Sequence, residues 1–321
     1  MYIKINLIAW IHVKYLILNK VLFTIVKEYI TYIYIYGIYD TYKLLYKIIT
    51  KDCNFGDIKL LLKNKNKIGN DMYKNKAFMR ACSYDYYDIV QFLIKNGVDI
   101  QACDNGGLHL ASRNGHYNIV KLLIENGANI HSGDDRALRY ASEKGHYAIV
   151  KILIENGANI YAANDYALQC ASREGYHDIV KLLIENGVDI HANDNEALQY
   201  ALHLASRNGH YNIVKSLIEY GANMHAIKEE ALRMASRNGH YDIVKFLIQK
   251  KANIHADYNY ALRIAAKKGH FHIVKLLIKN GAHIYAKHYK ALRDASKWGH
   301  SDIVDLLIKY AAKNIRKKNK Q

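Results

Sequence analysis

Apolar residues along most of the chain form pairs of short stripes at helical spacing. In residues 136–165, Ala137 and Ala141 belong to one stripe and Ile149 and Leu153 to a second, and a Gly-His dipeptide separates the two. Apolar positions three to four residues apart indicate one buried face of an α-helix. Each stripe is too short to form a helix that is stable alone in water. The pattern therefore predicts pairs of short antiparallel helices that depend on packing against neighbouring pairs.

This two-stripe unit recurs at a nearly constant interval. Its Gly-His slot advances along the chain by 30, 30, 30, 34, 30, 30 and 30 residues. The eight units begin near residues 76, 106, 136, 166, 196, 230, 260 and 290. Such self-similarity is the signature of a solenoid, because each unit buries its apolar face only against its neighbours. The sequence therefore predicts an all-α solenoid of stacked helix–turn–helix units over residues 76–312.

The fifth unit is four residues longer than the others. Four residues make about one helical turn, so Leu198 and Leu202 stay on one face and the first helix is expected to grow at its start. Residues 108–131 and 202–225 agree at 21 of 24 positions, and the extra residues begin just before the second copy. A recombination scar explains both facts, and a functional insertion is the alternative.

The motifs of the unit resemble the ankyrin repeat. In the seventh unit they read Ala261-Leu262-Arg263, Gly269-His270, Ile273-Val274-Lys275 and Asn280-Gly281-Ala282. The resemblance covers about three quarters of the chain. The family's usual unit has 33 residues and a Thr-Pro-Leu-His opening, whereas Tyr166-Ala167-Leu168-Gln169 stands in that place here and about three residues are missing from the preceding loop. The resemblance implies protruding hairpin fingers, which we expect to be short in this chain.

The first 45 residues form a hydrophobic segment with three possible roles. Residues 5–26 are dominated by large apolar side chains, but Lys14 and Lys20 fall inside this window. A lysine near the centre of a bilayer costs about 2.5–3.5 kcal/mol on insertion scales, and no uncharged run reaches the roughly 18 residues of a spanning helix. The segment is interpreted as a helical cap on the first repeats, as a membrane-associated element or as a stretch of no fixed role.

The remaining flanks are predicted to close the array. Residues 46–75 read as a degenerate repeat that caps the solenoid at its N-terminal end. The last unit carries Asp294, Asp305 and Ala311 where other units have an apolar residue, a lysine and a glycine, which suits a C-terminal cap facing water. The basic tail, residues 313–321, is compatible with nuclear targeting, an acidic partner or plain solvation.

Composition changes how the net charge is interpreted. The chain contains no proline and 28 tyrosines against 6 phenylalanines, and its formal charge is +17. Such usage is typical of an AT-rich genome, and the Lys-, Ile- and Asn-rich repeats resemble the ankyrin proteins of giant DNA viruses. Residues 76–312 carry 29 basic and 24 acidic residues, so the positive excess lies mostly at the ends. A nucleic-acid-binding domain concentrates basic residues on one face. Because the repeats have nearly balanced charge, nucleic acid is not the expected partner.

Residue types that carry chemistry are present, but their spacing argues against a catalytic or metal site. The four cysteines (Cys53, Cys82, Cys103 and Cys170) form no CxxC pair and are interpreted as reduced intracellular thiols. Most histidines recur at fixed repeat positions, about 8–10 Å apart in stacked helices, which is too far for two ligands of one zinc ion. No GxSxG, P-loop, GxGxxG or HExxH motif is present. We therefore expect a non-enzymatic protein without a cofactor, a metal or catalytic residues.

The positions that vary between otherwise similar units are the candidate binding site. They are the two residues before each Gly-His slot, for which simple drift at exposed positions is the alternative. These candidate partner-binding residues are Arg113, Asn114, Glu143, Lys144, Arg173, Glu174, Arg207, Asn208, Arg237, Asn238, Lys267, Lys268, Lys297 and Trp298. Trp298 is the best candidate for an energetic hot spot, since tryptophan and arginine dominate interface energetics.

The loops before the first helices vary as well. They are acidic at Asp134, Asp135, Asp165, Asp194, Glu196, Glu229 and Glu230, then basic or neutral at Lys287, His288 and Lys290. Because opposite charges attract across an interface, the C-terminal third is expected to prefer an acidic partner surface.

The resemblance implies a protein–protein interaction scaffold that binds through the concave face and finger tips of its repeats. We expect a monomer inside the cell, in the cytoplasm or nucleus of an infected host. One alternative is a substrate adaptor for a ubiquitin ligase, whose ligase-binding box would have to lie in residues 1–45, where its Leu-Pro opening cannot occur without proline. Another is a scaffold tethered to a membrane by residues 1–38.

Overall fold

The computed structural model of the chain describes residues 71–187 and 196–318. The hydrophobic N-terminal segment and most of the predicted capping repeat lie outside these residues, and so do the candidate tether and ligase-binding segments. The described residues form sixteen α-helices and no β-strand. In chain order the helices are α1 (Asp71–Ser83), α2 (Tyr87–Lys95), α3 (Ala102–Asn114), α4 (Tyr117–Glu125), α5 (Ser132–Lys144), α6 (Tyr147–Glu155), α7 (Ala162–Glu174), α8 (His177–Glu185), α9 (Glu196–Asn208), α10 (Tyr211–Glu219), α11 (Ala226–Asn238), α12 (Tyr241–Gln249), α13 (Ala256–Lys268), α14 (Phe271–Lys279), α15 (Ala286–Lys297) and α16 (Ser301–Lys318).

The helices stack as pairs, which confirms the all-α solenoid. Each odd-numbered helix packs against the even-numbered helix that follows it and against the odd-numbered helices of both neighbouring units. Successive first helices pack closely, whereas successive second helices touch at only a few points. The small residues Ala141 and Ser142 are fully buried in α5 and allow this close approach. The core is therefore one continuous apolar layer between the first and second helices.

Left-handed backbone ends the helices at two places in each of the first seven units. Gly145 terminates α5 with φ +80°, and Gly157 follows α6 with φ +92°. Glycine adopts this conformation without the clash that a Cβ atom causes in other residues. The first helix of the unit thus ends at its Gly-His dipeptide, and the second helix ends at its Asn-Gly dipeptide.

The short fingers predicted from the sequence take the form of a compact left-handed turn. Three consecutive residues at the start of α5, Gly133, Asp134 and Asp135, have φ between +51° and +59°. The same turn occurs in α3, α7, α11, α13 and α15. A unit of 30 residues thus joins its neighbour through one tight turn within the described part of the chain.

The four extra residues of the fifth unit extend its first helix. Helix α9 is regular over its 13 residues, whereas α7 reaches the same length only by including a left-handed turn. Leu198 is fully buried and Leu202 is 2% exposed, so both lie on the packed face as the spacing predicts. The insertion therefore adds a turn of helix and leaves the stacking of the unit intact.

The last helix is longer than the other second helices. Ala311 stands where Gly281 ends the preceding unit, and α16 continues for 18 residues as far as Lys318. Without a residue that favours left-handed backbone, the helix has no local reason to stop at this point.

Candidate protein-binding surface

Within the described residues, a row of six histidines ties six of the units to the unit that precedes each of them. Directly before α6, the Nε2–H group of His146 donates a hydrogen bond to the carbonyl oxygen of Arg113, 3.0 Å away at the end of α3. The same bond joins His116 to Ser83, His210 to Arg173, His240 to Arg207, His270 to Arg237 and His300 to Lys267, at 2.8–3.1 Å. Carbonyl groups in the last turn of a helix have no partner within the helix. These histidines therefore satisfy carbonyl groups of the neighbouring unit's backbone.

A second link between units runs through the third residue of the left-handed turn. The Oδ1 atom of Asn105 accepts a hydrogen bond from the backbone N–H of Asn129 at 2.8 Å, and Asp135 accepts one from Asn159 at the same distance. Asn105 and Asp135 are each 4% exposed. Because a buried polar group must find a partner, these side chains are committed to the stack.

This link corrects part of the predicted charge pattern. The sequence suggests that Asp135 and Glu229 are acidic residues at exposed tips, but both are 4% exposed. The carboxylate of Glu229 lies 2.6 Å from the Nδ1 atom of His225, which is itself exposed. The prediction is wrong for these two residues because the turn directs its third side chain between the units. They offer no charge to a partner.

The arginine of the Ala-Leu-Arg motif supports the same turn. In α5 the Arg139 guanidinium donates to the carbonyl oxygen of Gly133 at 2.7 Å, and it lies 5.6 Å from the centre of the Tyr166 ring in the next unit. In α13, Arg263 donates to the carbonyl oxygen of Asp257 at 2.9 Å. Sequence analysis missed this role, although the recurrence of arginine six residues after the first turn residue was a signal for it.

All fourteen candidate partner-binding residues lie in the last turn of a first helix or directly after it. Glu143, Arg173 and Lys267 are half-buried, and the others are exposed. The structure thus places them in one row along the ends of the first helices, next to the left-handed glycines. The row follows the axis of the stack because equivalent helix ends of successive units lie side by side.

Several members of the row are already bound to other residues of the chain. The Asn114 amide donates to the carbonyl oxygen of Ser83 at 2.9 Å, and the Asn208 amide donates to that of Arg173 at 2.7 Å. Other charges of the row pair with their chain neighbours, Glu143 with Lys144 at 3.0 Å and Arg173 with Glu174 at 2.7 Å. In this half of the row, contacts within the chain already occupy some of the amide and charged groups that a partner would bind.

The C-terminal end of the row is different. The Nζ atom of Lys267 lies 5.5 Å from the centre of the Trp298 ring, and Trp298 is 56% exposed. Lys268 and Lys297 are exposed beside this pair. Within the described residues, no carboxylate forms an ion pair with these three lysines. We call Lys267, Lys268, Lys297 and Trp298 the C-terminal cluster.

Buried titratable groups in the stack have shifted pKa values. Burial raises the pKa of the Cys82 and Cys170 thiols, which keeps them protonated and makes them poor nucleophiles. Burial, with a further contribution from Arg136, lowers the pKa of His109. His109 is 4% exposed, and its Nε2 atom has no hydrogen-bond partner among the described residues.

The described residues contain neither a cluster of metal ligands nor a membrane-spanning helix. In residues 71–187 and 196–318, no group of three or more His, Cys, Asp or Glu side chains is placed to hold a metal ion. No helix in that part of the chain combines the length and the apolar character that crossing a membrane requires.

Comparisons with known proteins agree with the geometry. A family model described as ankyrin repeats (3 copies) matches residues 101–164, 168–259 and 232–319, and a model described as ankyrin repeat matches residues 73–102. The ankyrin repeat domain of human ASB11 is 25% identical, with a TM-score of 0.55 over 62% of this chain and 96% of that chain. The search of curated proteins found no match. Ankyrin repeats are generally non-catalytic modules for protein–protein interaction. Since the matched residues make up well over half of the sequence, the chain belongs to the ankyrin repeat family.

Proposed function

We propose that this chain is a non-enzymatic scaffold that binds a partner protein through the row of residues at the ends of its first helices, with the C-terminal cluster as the centre of the contact. The observation that carries this proposal is the contact between Lys267 and Trp298, at 5.5 Å from the ring centre, on an exposed surface. It joins a large amphipathic side chain to a positive charge that no carboxylate of the described residues neutralises.

The physical chemistry of the cluster favours an acidic surface on the partner. Tryptophan contributes a large apolar area at little conformational cost, which is why it is enriched among interface hot spots. Unpaired lysines around it attract carboxylates and repel basic surfaces. In the N-terminal half of the row, Glu143 and Arg173 are each paired with a neighbouring residue. The proposed scaffold therefore places its strongest contact at the C-terminal end, and it acts as a monomer.

The proposal extends to where the protein works. The Lys-, Ile- and Asn-rich repeats and the absence of proline support a product of a giant DNA virus. The cysteines Cys82, Cys103 and Cys170 are free thiols, which suits a reducing compartment. We place the protein in the cytoplasm or nucleus of an infected host cell, with a host or viral protein as its partner.

Affinity purification of the full-length chain from infected cells tests the proposed site. One variant changes Lys267, Lys268, Lys297 and Trp298 to alanine. A matched control changes Lys121, Lys151, Lys181 and Tyr147 to alanine, which removes three lysines and one aromatic residue from exposed positions on second helices. We expect a partner that the control retains and the cluster variant loses. Equal recovery by both variants would place the binding site elsewhere.

A further inference from the structure

The second helices of four units carry the same exposed ion pair. A lysine at the fifth helical position and a glutamate four residues later lie 3.7–4.0 Å apart. The pairs are Lys121–Glu125 in α4, Lys151–Glu155 in α6, Lys181–Glu185 in α8 and Lys215–Glu219 in α10. These four helix faces are therefore electrically neutral at this place.

Helices α12 and α14 keep the lysine and lose the glutamate. Gln249 and Lys279 occupy the glutamate position, so that Lys245 and Lys275 have no carboxylate at the usual distance. After α12, the usual Asn-Gly dipeptide is replaced by two lysines. We call these five exposed lysines the outer lysine face: Lys245, Lys250, Lys251, Lys275 and Lys279.

The acidic groups near this face do not neutralise it. Asp242 lies at the start of α12, and Asp302 and Asp305 lie on the neighbouring helix α16. Within the described residues, none of the three forms an ion pair with a lysine of the face. Glu219 of α10, on the other side, is already paired with Lys215.

The charge of the described chain is also uneven along the stack. Residues 76–187 contain 11 basic and 13 acidic residues, whereas residues 241–313, which include all five lysines of the face, contain 14 basic and 5 acidic residues. The outer lysine face thus belongs to the half of the solenoid that carries the positive excess.

Folding alone does not account for these changes. Lysines at helix C-termini interact favourably with the helix dipole, which explains part of the preference at Lys250 and Lys279. However, Lys275 and Lys279 are like charges one turn apart, an arrangement that destabilises a helix. Lys251 adopts a left-handed φ of +70°, which is strained for a residue with a Cβ atom. The equivalent residue of the next unit is Gly281, which adopts left-handed backbone without this strain. These lysines share an exposed surface, and among the described residues the one stabilising side-chain contact is that of the Lys250 ammonium, 5.7 Å from the Phe246 ring centre.

We propose that the outer lysine face binds an extended acidic segment of a partner protein. Lysines one helical turn apart lie about 6 Å from each other, and neighbouring helices lie about 8–10 Å apart. An extended chain places side chains on one side at intervals of about 6.6–6.8 Å, so alternate carboxylates reach successive lysines. This inference rests on the proposed function in one respect, that the chain binds a partner protein. The two surfaces are separate, because the outer lysine face lies on the second helices and the C-terminal cluster lies at the ends of the first helices.

The composition of the face distinguishes this occupant from a lipid surface or a nucleic acid. Tyr241, at the start of α12 and 39% exposed, is the only large apolar side chain that is mainly exposed on α12 or α14. Side chains that insert into a lipid interface or stack on bases are therefore missing from the lysine-bearing ends of these two helices. All five cations are lysines, which act as point charges and lack the bidentate geometry of arginine for phosphate. Such a face suits a flexible run of carboxylates.

Binding of a fluorescent oligo-glutamate peptide to the full-length chain tests this assignment. The variant Gln249→Glu with Lys279→Glu restores the ion pair that four other units contain, so it is expected to fold. A control variant with Asn118→Asp, Ala148→Asp and Asn212→Asp changes the net charge by the same amount on other second helices. Aspartate occupies this position in α2, α8, α12 and α16. Melting curves of both variants are compared with that of the wild type.

We expect the wild type to bind the peptide with an affinity that falls as salt is added, since exposed charges are screened. The pair-restoring variant should bind about tenfold more weakly or worse, whereas the control should stay within about twofold of the wild type. Equal affinities of the two variants would overturn the assignment. So would tighter binding of phosphatidylserine vesicles or duplex DNA than of the peptide at the same salt concentration.

The alanine variant of the C-terminal cluster separates this inference from the proposed function. Peptide binding that survives in that variant and disappears in the pair-restoring variant assigns the peptide to the outer lysine face, whatever the purification experiment finds. Loss of peptide binding in the cluster variant alone would transfer the acidic site to the cluster and refute the outer face.

Discussion

In a Gly-His pair, the glycine ends the first helix of its own unit, whereas the histidine hydrogen-bonds to the backbone of the preceding unit. Gly115 ends α3 with φ +87°, and it also lies beneath the ring of His146 from the next unit. A Cβ atom on Gly115 would lie 2.7 Å from the Cε1 atom of that ring. The glycine is therefore required by its own backbone conformation and by the histidine that hydrogen-bonds across the unit boundary.

Replacing this glycine tests both requirements at once. Gly127 has nearly the same φ, +86°, but no atom lies within 4 Å of a Cβ placed there. We expect Gly127→Ala to lower the free energy of unfolding by about 1–2 kcal/mol through backbone strain alone. Gly115→Ala should lower it by about 1–3 kcal/mol more, because the added methyl group displaces a packed ring. Urea denaturation measures the difference, and equal losses would contradict the ring contact.

His109 makes stability depend on pH. Its pKa in the folded chain is lowered mainly by burial and by Arg136, while Ser132 and Asp104 oppose this shift and Arg139 adds to it. The unfolded chain therefore takes up the proton first as the pH falls through about 6.5. The neutral side chain contributes stability above that pH, and this stability is lost progressively as the pH falls from 6.5 towards the folded pKa.

His109→Gln isolates this contribution, since Gln169 occupies the equivalent place in α7. Between pH 7.5 and pH 5.5 the wild type should lose about 1 kcal/mol more stability than the variant. The prediction fails if the wild type and His109→Gln lose the same stability over this range.

Among the elements, the left-handed turn keeps nearly the same backbone conformation in six first helices, although its three residues differ from unit to unit. The turn of α5 uses Gly133, Asp134 and Asp135, which tolerate positive φ well. The turn of α11 uses Ile227, with φ +48°, followed by Lys228. A β-branched residue at positive φ is a genuine outlier, and Ile227 is 68% exposed, so burial compensates little.

Relieving this turn should stabilise the chain. We expect Ile227→Asn to raise the free energy of unfolding by about 1 kcal/mol, because asparagine adopts left-handed backbone at lower cost than isoleucine. The reverse exchange, Gly133→Ile in α5, should destabilise by a similar or larger amount. Thermal melting should show a higher melting temperature for Ile227→Asn and a lower one for Gly133→Ile. A loss of stability in Ile227→Asn would show that the isoleucine side chain makes a contact that the fold needs.

The helices themselves were predictable, but the turn between units was not. Apolar spacing identified both helices of each unit, and Leu198 and Leu202 correctly indicated that the fifth unit gains a helical turn. The conformation of the three-residue turn depends on the arginine that follows it and on the neighbouring unit. Neither contact leaves a periodic apolar signal, so Asp135 and Glu229 were misread as exposed.

For the whole molecule, the stack distributes contacts and charge unevenly. First helices pack closely along their length, whereas second helices meet at few points. The second helices are therefore free to vary at their exposed positions, and the outer lysine face arises there. The positive excess of residues 241–313 combines with this freedom to give the C-terminal part of the stack two basic surfaces, one on each helix layer. The affinity purification tests the surface on the first helices, and the peptide-binding experiment tests the surface on the second helices.

The candidate site shows most clearly what each level of description decides. By itself, the sequence determined the period, the helix pairs and the family, because these follow from apolar spacing and glycine positions within about 30 residues. It also placed the variable residues at the ends of the first helices. Only the tertiary structure decided which of them remain available to a partner. Asn114 and Asn208 bond to backbone carbonyls 31 and 35 residues earlier, and such contacts exist only after two units have stacked.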